Sequence, residues 1–214
     1  MTKKDLLILL IFFTSIPTYG RPIKRDDQKK EIIRNNMPNH IGVKTNLLYS
    51  ALTLTPNIAL EIGVGKRTSI EIAGSYNPWN LKGKAGDNKK KVHYLIKPAF
   101  RYWLAERFNG HFVGAHLLFA QYNIGGYSLP MLFGKQSKMF RHQGSAYGMG
   151  LAYGYLLKIN KRWAAEFNIG AGYLQMRYDQ YDCESCGKLY ENGKTKNYFG
   201  PTEAGIKMVF LINK

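Results

Sequence analysis

Residues 163–173 read Trp-Ala-Ala-Glu-Phe-Asn-Ile-Gly-Ala-Gly-Tyr, and this stretch decides the fold. Its odd positions are apolar from Trp163 to Tyr173, whereas its even positions are small or polar and include Glu166. Successive side chains of a strand point to opposite faces, so one face suits hydrocarbon and the other suits a crowded polar interior. Strands of about 9–11 residues with this alternation are typical of outer-membrane barrels, whose closed sheet leaves no backbone group unpaired in lipid.

Seven further segments show the same alternation, which gives eight predicted strands. They cover residues 40–52, 57–65, 68–77, 93–104, 111–124, 144–157, 162–177 and 198–212. Most connections alternate between short turns and long loops, the long ones being residues 78–92, 125–143 and 178–197. Bacterial barrels have short periplasmic turns and longer extracellular loops. The sequence therefore predicts an all-β fold, an eight-stranded antiparallel transmembrane β-barrel of the outer-membrane type.

The N-terminus predicts export. Lys3 and Lys4 precede an apolar run over residues 6–16, and small residues follow before Arg21, as in a secretory signal peptide. The run is too short to span a membrane as a helix. We expect a signal peptide over residues 1–20, a polar periplasmic segment over 21–39 and an outer-membrane barrel over 40–214.

Ionisable residues on the predicted inward faces are balanced in charge. Four cations face four anions, namely Lys44, Lys97, Arg101 and Lys207 against Glu61, Glu71, Glu166 and Glu203. A charge in a narrow, poorly hydrated lumen is costly unless it is paired. An eight-stranded barrel has room only for its own side chains. These eight residues are predicted to form a salt-bridge network that plugs the lumen, and a narrow solute channel is the alternative.

Basic residues are concentrated in the predicted outer loops. The chain has a formal net charge of +17, and residues 82–91 hold five lysines against one aspartate. An exported chain is not expected to meet nucleic acid, so the phosphates of lipopolysaccharide are the expected anion. The predicted anion-binding residues are Lys82, Lys84, Lys89, Lys90, Lys91, Lys135, Lys138 and Arg141.

Cys183 and Cys186 form the sole cysteine pair of the chain. Such a C-x-x-C can be a redox motif, half of a zinc site or a local disulfide. A redox motif needs a helix N-terminus to lower the thiol pKa, and zinc needs four ligands. In an oxidising compartment, a disulfide that pins the last long loop is the preferred interpretation. No metal and no cofactor is expected.

Catalysis is a further alternative, because small outer-membrane barrels can act on lipid A with a Ser/His pair near the outer rim. The residues near that rim are His93, His142, Ser75 and Ser145. No spacing among them indicates a triad, and no phosphate-binding glycine loop or H-E-x-x-H motif is present. We therefore predict a non-enzymatic protein without catalytic residues.

Residues 203–210 resemble the C-terminal strand signature that the barrel-assembly machinery recognises. The segment departs from that signature in two ways. Met208 stands where an aromatic residue is usual, and four residues follow Phe210. The resemblance implies that this machinery is the partner for insertion.

Several ordered motifs between residues 41 and 212 resemble a Bacteroidota family of exported proteins of unknown function. They are the run over 44–49, Thr55-Pro56-Asn57-Ile58 with Glu61, and the segments 101–103, 147–150, 153–155, 170–173 and 199–202. The resemblance implies an outer-membrane barrel, often encoded near fimbrial or cell-surface genes. It supplies no activity and no catalytic residues. The expected function is structural or surface interaction, with lipopolysaccharide, outer-membrane lipid or a fimbrial or envelope protein as partner.

Overall fold

The computed structural model describes residues 41–78, 90–127, 129–133, 139–182 and 187–212. All described residues lie in one compact unit of the chain, Pro38–Lys214. The predicted signal peptide and the predicted periplasmic segment lie outside the described residues.

Eight strands and two short helices make up the described fold. Their bounds are β1 (Ile41–Asn46), α1 (Leu47–Thr53), β2 (Asn57–Gly63), β3 (Thr68–Asn77), β4 (Lys90–Trp103), β5 (Gly110–Gly125), α2 (Pro130–Phe133), β6 (Phe140–Lys158), β7 (Trp163–Asp182) and β8 (Leu189–Ile212). Each strand pairs antiparallel with the next, and β8 pairs with β1 to close the ring. The prediction of an all-β fold with eight antiparallel strands in one closed sheet is confirmed.

The first predicted strand is wrong over residues 47–52, which form α1. The side chain of Asn46 accepts a hydrogen bond from the Tyr49 backbone N–H at 3.1 Å. An asparagine in this position satisfies a free N–H of the first helical turn and favours helix initiation. The helix ends at Leu54, which adopts a left-handed conformation with φ of 55°. The helix cap at Asn46 therefore determines the local structure, although the apolar pattern of these residues predicts a strand.

The last three strands are longer than predicted. β6 begins at Phe140 rather than residue 144, β7 ends at Asp182 rather than 177, and β8 begins at Leu189 rather than 198. Much of the predicted loop over 178–197 is therefore strand. Toward this end of β7 the outward residues, such as Gln175 and Arg177, are polar, so the sequence shows little apolar alternation. The ladder between β7 and β8 nevertheless continues through them.

The two ends of the barrel differ. Residues 64–67, 104–109 and 159–162 connect strands at one end, which we call the turn end. Residues 47–56, 78–89, 126–139 and 183–188 connect strands at the other, which we call the loop end. No described helix has the length and apolar character needed to span a membrane.

Large apolar side chains cover the outward face of the sheet, and we call this surface the apolar belt. Its exposed members include Ile58, Leu60, Ile62, Ile70, Ile72, Ile96, Phe100, Val113, Leu117, Met149, Leu151, Phe167, Ile169 and Ile206. Toward the loop end it finishes in exposed aromatic residues, which are Tyr76, Tyr94, Phe119, Tyr147, Tyr173 and Phe199. Beyond that row the outward positions become polar, for example Gln121, Ser145 and Arg177.

Apolar side chains also fill both ends of the barrel interior. The turn-end plug consists of Trp103, Phe108, Phe112, Leu156, Ala164, Val209 and Leu211. The Trp103 ring centroid lies 4.9 Å from that of Phe112 and 5.6 Å from that of Phe108. Phe108 belongs to the turn between β4 and β5, has a positive φ of 57° and is fully buried. At the loop end, Leu132 and Phe133 of α2 pack against Tyr122, Ala146, Met176 and Tyr178.

Candidate functional site

A layer of six ionised side chains lies in the interior, next to the turn-end plug. Each comes from an inward position of a different strand, and each side chain is at most 5 % exposed. We call it the charged layer, and its members are Lys44, Glu61, Glu71, Arg101, Glu166 and Lys207. The alternation of each strand places these residues inside, and outward neighbours such as Ile70, Phe100 and Ile206 belong to the apolar belt.

Every cation of the charged layer contacts more than one carboxylate. Arg101 Nη2 lies 2.6 Å from Glu71 Oε2, and Arg101 Nη1 lies 3.2 Å from Glu61 Oε2 and 2.9 Å from Glu166 Oε2. Lys207 Nζ lies 3.2 Å from Glu71 and 3.1 Å from Glu166. Lys44 Nζ contacts Glu61, Glu71 and Glu166. Shared contacts of this kind offset the cost of removing the charges from water.

A second pair, Lys97 and Glu203, is joined to the charged layer. Lys97 Nζ contacts Glu203, and Lys207 Nζ lies 3.3 Å from Glu203 Oε1. His116 Nδ1 lies 3.5 Å from Glu203 Oε2. The structure thus brings all eight ionisable residues that the alternation assigned to the lumen into one connected network, with four cations and four anions.

Polar side chains outside the predicted set of eight residues complete the network. The Trp103 indole N–H donates to Ser69 Oγ at 2.9 Å, and Ser69 donates to Glu61. Asn168 donates to Glu203, and His116 Nε2 lies 3.0 Å from Thr202 Oγ1. Ser69, Trp103, His116 and Asn168 follow the two-residue period of the charged residues, whereas Thr202 lies next to Glu203, where the β7–β8 ladder is irregular. Ser69 precedes Glu71 by two positions, so the alternation predicts its inward position but not its hydrogen bond to Glu61.

Three carboxylates of the charged layer could by geometry hold a metal ion. One oxygen each from Glu61, Glu71 and Glu166 lies within 4.8 Å of the others. The Lys44 ammonium contacts all three groups, and so does the Arg101 guanidinium. These two cations sit where a metal would have to bind, so the arrangement acts as an internal ion-pair network.

A cavity of about 130 Å³ lies on the loop side of the charged layer. Lys97, Lys207 and Glu203 line it, together with Tyr49, Ser75, Leu95 and Leu118. The His93 Nδ1 atom lies 2.7 Å from the Lys91 carbonyl oxygen, and the Tyr49 hydroxyl lies 2.7 Å from His93 Nε2. Because Nδ1 faces an acceptor, it carries the proton, and Nε2 accepts from Tyr49.

The structure separates the four residues considered for catalysis. His142 points inward from β6, whereas Ser145 lies on the outward face of the same strand. Ser75 and His93 are both inward, but the Tyr49 hydroxyl occupies His93 Nε2. Ser75 Oγ is buried and has no hydrogen-bond partner of ordinary geometry among the described residues. No Ser/His hydrogen bond links these four residues in the described part of the chain.

His142 lies beyond the aromatic row that ends the apolar belt. Its ring stacks on Phe133 of α2 with centroids 4.2 Å apart, and the Tyr178 ring meets its edge at 5.3 Å. Burial, together with the nearby charges of Lys194 and Lys196, lowers the pKa of His142 to about 4. The imidazole is therefore neutral at physiological pH and serves as an aromatic member of the loop-end cluster.

Three of the predicted anion-binding residues are described, and all three lie at the loop end. Lys90 pairs with Gly125, which in turn pairs with Arg141, so these cations lie on strands separated by β5 alone. Aromatic rings position two of them: Lys91 Nζ lies 4.4 Å from the Tyr127 ring centroid, and Arg141 Cζ lies 4.4 Å from that of Tyr181. The other predicted cations and the cysteine pair fall outside the described residues, as Lys82, Lys84, Lys89, Lys135, Lys138, Cys183 and Cys186.

Comparison with known proteins places the chain in a family. The match covers residues 10–212. Comparison with curated proteins gives no match, and comparison with solved structures gives none either. The prediction of a family of unknown function is confirmed. The chain belongs to the DUF3575 family, which is described as a protein of unknown function.

Proposed function

We propose that this protein is an integral barrel of the outer membrane of a Gram-negative, Bacteroidota-type envelope. The observation that carries the proposal is the apolar belt. Large hydrophobic side chains are exposed around the outside, while the described charges of the mid-barrel region lie within. A water-soluble protein rarely exposes so large an apolar surface. In a bilayer the same surface meets acyl chains, and the closed ladder of a barrel satisfies the backbone.

We propose further that the lumen is closed and that the protein acts without catalysis. Two apolar clusters and an ion-pair network occupy successive levels of the interior. Conduction needs an aqueous gap, and eight strands enclose a lumen that side chains can fill. The function then lies at the loop end, as a structural or surface-interaction role.

The proposed contact is between loop-end cations and anionic partners. Lys91 and Arg141 are held against aromatic rings at this end, so less side-chain freedom is lost when an anion binds. Lipopolysaccharide phosphates or an acidic face of a fimbrial or envelope protein fit this chemistry. Such exposed ion contacts weaken as salt concentration rises.

Cysteine labelling of intact cells tests location and orientation together. In a background with Cys183→Ser and Cys186→Ser, one variant carries Asn192→Cys at the loop end and the other carries Lys161→Cys at the turn end. A membrane-impermeant maleimide is expected to label position 192 in intact cells and position 161 only after lysis. Equal labelling of both positions, or recovery of the protein without detergent, would contradict the proposal.

Two measurements separate the proposed role from its alternatives. A narrow channel would give stepwise conductance in planar bilayers, and we expect none. A lipid A-modifying enzyme would change the mass spectrum of lipid A, and we expect identical spectra from cells with and without the gene. Stepwise conductance would instead support the channel, and an altered lipid A spectrum would support the enzyme.

A further inference from the structure

The ladder between β8 and β1 is much shorter than the ladder between β8 and β7. β1 pairs with β8 through six residue pairs, from Ile41 with Ile212 to Asn46 with Lys207. Toward the loop end, residues 189–206 of β8 pair with β7 alone among the described residues. Helix α1 packs beside β8 there, with Leu47, Leu52 and Leu54 exposed. β2 and β8 therefore lie on either side of α1 without a ladder between them, and we call this part of the wall the seam.

Side chains rather than a ladder hold the seam together. Asn46 Nδ2 donates to the Ala204 carbonyl oxygen at 3.1 Å. Asn57 Nδ2 donates to the Asn46 carbonyl oxygen at 3.1 Å and to Ser50 Oγ at 2.8 Å. A few side-chain hydrogen bonds are weaker than a continuous ladder, so we expect this section of wall to open at lower cost than the β7–β8 ladder.

The 130 Å³ cavity lies directly behind the seam. Asn46 and Asn57 line it on one side, and Thr202 and Glu203 line it on the other. Its lining also includes Ile58, which is 63 % exposed on the outward face, and outward-facing Ala204. The cavity therefore opens sideways through the wall, at a level where the outward neighbours belong to the apolar belt.

The lining of the cavity specifies the chemistry of a ligand. Ala59, Ala73, Leu95 and Leu118 supply apolar walls. Lys97 Nζ contacts a single described carboxylate, Glu203, and Ser75 Oγ has no hydrogen-bond partner of ordinary geometry among the described residues. Both groups can donate to an acceptor. Four cations already balance four anions, so an added charge would be uncompensated and an uncharged polar group fits best.

We propose that the cavity binds the polar end of an uncharged, single-chain amphiphile, whose acyl chain leaves through the seam into the bilayer. An ester carbonyl or hydroxyl accepts from Lys97 and Ser75. The volume is close to that of an engineered apolar cavity of about 150 Å³ that binds benzene, so it holds a headgroup and a few carbons rather than a whole lipid. This inference rests on the proposed membrane location, because the seam must face acyl chains.

Photo-crosslinking in phospholipid nanodiscs tests the proposal. The full chain is mixed with a 1-monoacylglycerol that carries a diazirine beside the ester, illuminated and mapped by peptide mass spectrometry. We expect crosslinks on inward residues around the cavity, such as Ala59, Ala73 and Leu118. Crosslinks confined to outward residues of the apolar belt, such as Leu60 and Ile72, would overturn it.

Matched variants make the result specific. Ala73→Leu fills the cavity and should reduce the crosslink yield on inward residues about tenfold, whereas Ile72→Leu on the outward face of the same strand should leave it unchanged. Ser75→Ala preserves the cavity shape and, by removing one hydrogen bond, should weaken binding by about 3–10-fold. Equal yields on inward residues from wild type, Ala73→Leu and Ser75→Ala would show that these crosslinks do not depend on binding in the cavity, and would overturn the proposal. If the protein inserts into the nanodiscs but gives no crosslinks on inward residues, this inference alone is contradicted. If the protein does not insert, the proposed membrane location is contradicted as well.

Discussion

Arg101 and Glu71 face each other at the centre of the barrel, with Nη2 of the arginine 2.6 Å from Oε2 of the glutamate. The arginine side chain is 3 % exposed, and that of the glutamate is fully buried. Glu71 also contacts Lys44 and Lys207. Each partner is thus surrounded by opposite charge, and removal of one leaves the others without compensation.

Glu71→Gln is expected to lower the free energy of unfolding by about 3–5 kcal/mol, because it leaves buried cations uncompensated. Urea titration in detergent, followed by the gel mobility of the folded barrel, measures the effect. The matched control is Glu191→Gln, which breaks an ion pair with Lys194 whose side chains are about 40 % exposed and should cost less than about 1 kcal/mol. Similar small losses for both variants would show that the network contributes little.

The turn-end plug should contribute to stability through packing. Phe112 is 1 % exposed and contacts the Trp103 ring, so Phe112→Ala should cost about 3–5 kcal/mol by leaving a cavity. Phe100 lies on the outward face and is 50 % exposed. Detergent or lipid chains can replace its ring, so Phe100→Ala should cost clearly less. The same urea titration compares the two variants. A larger loss of stability for Phe100→Ala than for Phe112→Ala would contradict the assignment of Phe112 to the packed interior.

Loop-end cations should determine binding to anionic lipid. Replacing Lys90, Lys91 and Arg141 together by Gln is expected to reduce lipopolysaccharide binding at low salt several-fold, and the difference should shrink as salt is added. Replacement of Lys158, Lys161 and Arg162 by Gln removes the same number of charges at the turn end and serves as the control. Surface plasmon resonance on immobilised lipopolysaccharide measures both. An unchanged loop-end variant would remove these residues from the proposed contact.

The His142 imidazole should titrate well below an ordinary histidine. Burial lowers its pKa to about 4, so the folded state favours the neutral ring. The stabilisation is complete above the unfolded pKa of about 6.5 and is lost as pH falls through the folded value. NMR titration of the ring protons should give a midpoint near 4, and Phe133→Ala should raise it by exposing the ring. A wild-type midpoint near the ordinary histidine value of about 6.5 would show that α2 does not cover His142.

The inward charges could be assigned from the sequence because the strands keep a period of two. Once Ile70 and Ile72 are placed outside, Glu71 must lie inside. The same reasoning gave the ring of eight strands and their approximate positions. It also placed Ser75 and His93 near one end, although it could not show that the Tyr49 hydroxyl would lie 2.7 Å from His93 Nε2.

The features that the sequence reasoning missed depend on contacts that no periodicity encodes. Helix α1 starts because Asn46 caps it, in a run that also fits a strand. Phe108 enters the core from a turn through a single positive φ. Phe133 of the short helix α2 stacks on the His142 ring inside the barrel, a contact that the sequence pattern does not indicate. The outer parts of β6–β8 have polar residues on their outward faces, so they give little apolar signal.

Glu61 and Glu71 are direct neighbours in the β2–β3 ladder, so that hairpin alone carries two like charges side by side. Lys44 from β1 and Arg101 from β4 each contact both carboxylates, so the strands on either side of the hairpin supply two cations for its two anions. Glu166 and Lys207 are direct neighbours in the β7–β8 ladder and lie 3.1 Å apart, so that hairpin balances its own pair. Closing the ring between β1 and β8 therefore joins two parts of the charged layer that are each already neutral, and electrostatic repulsion does not oppose the last step of assembly.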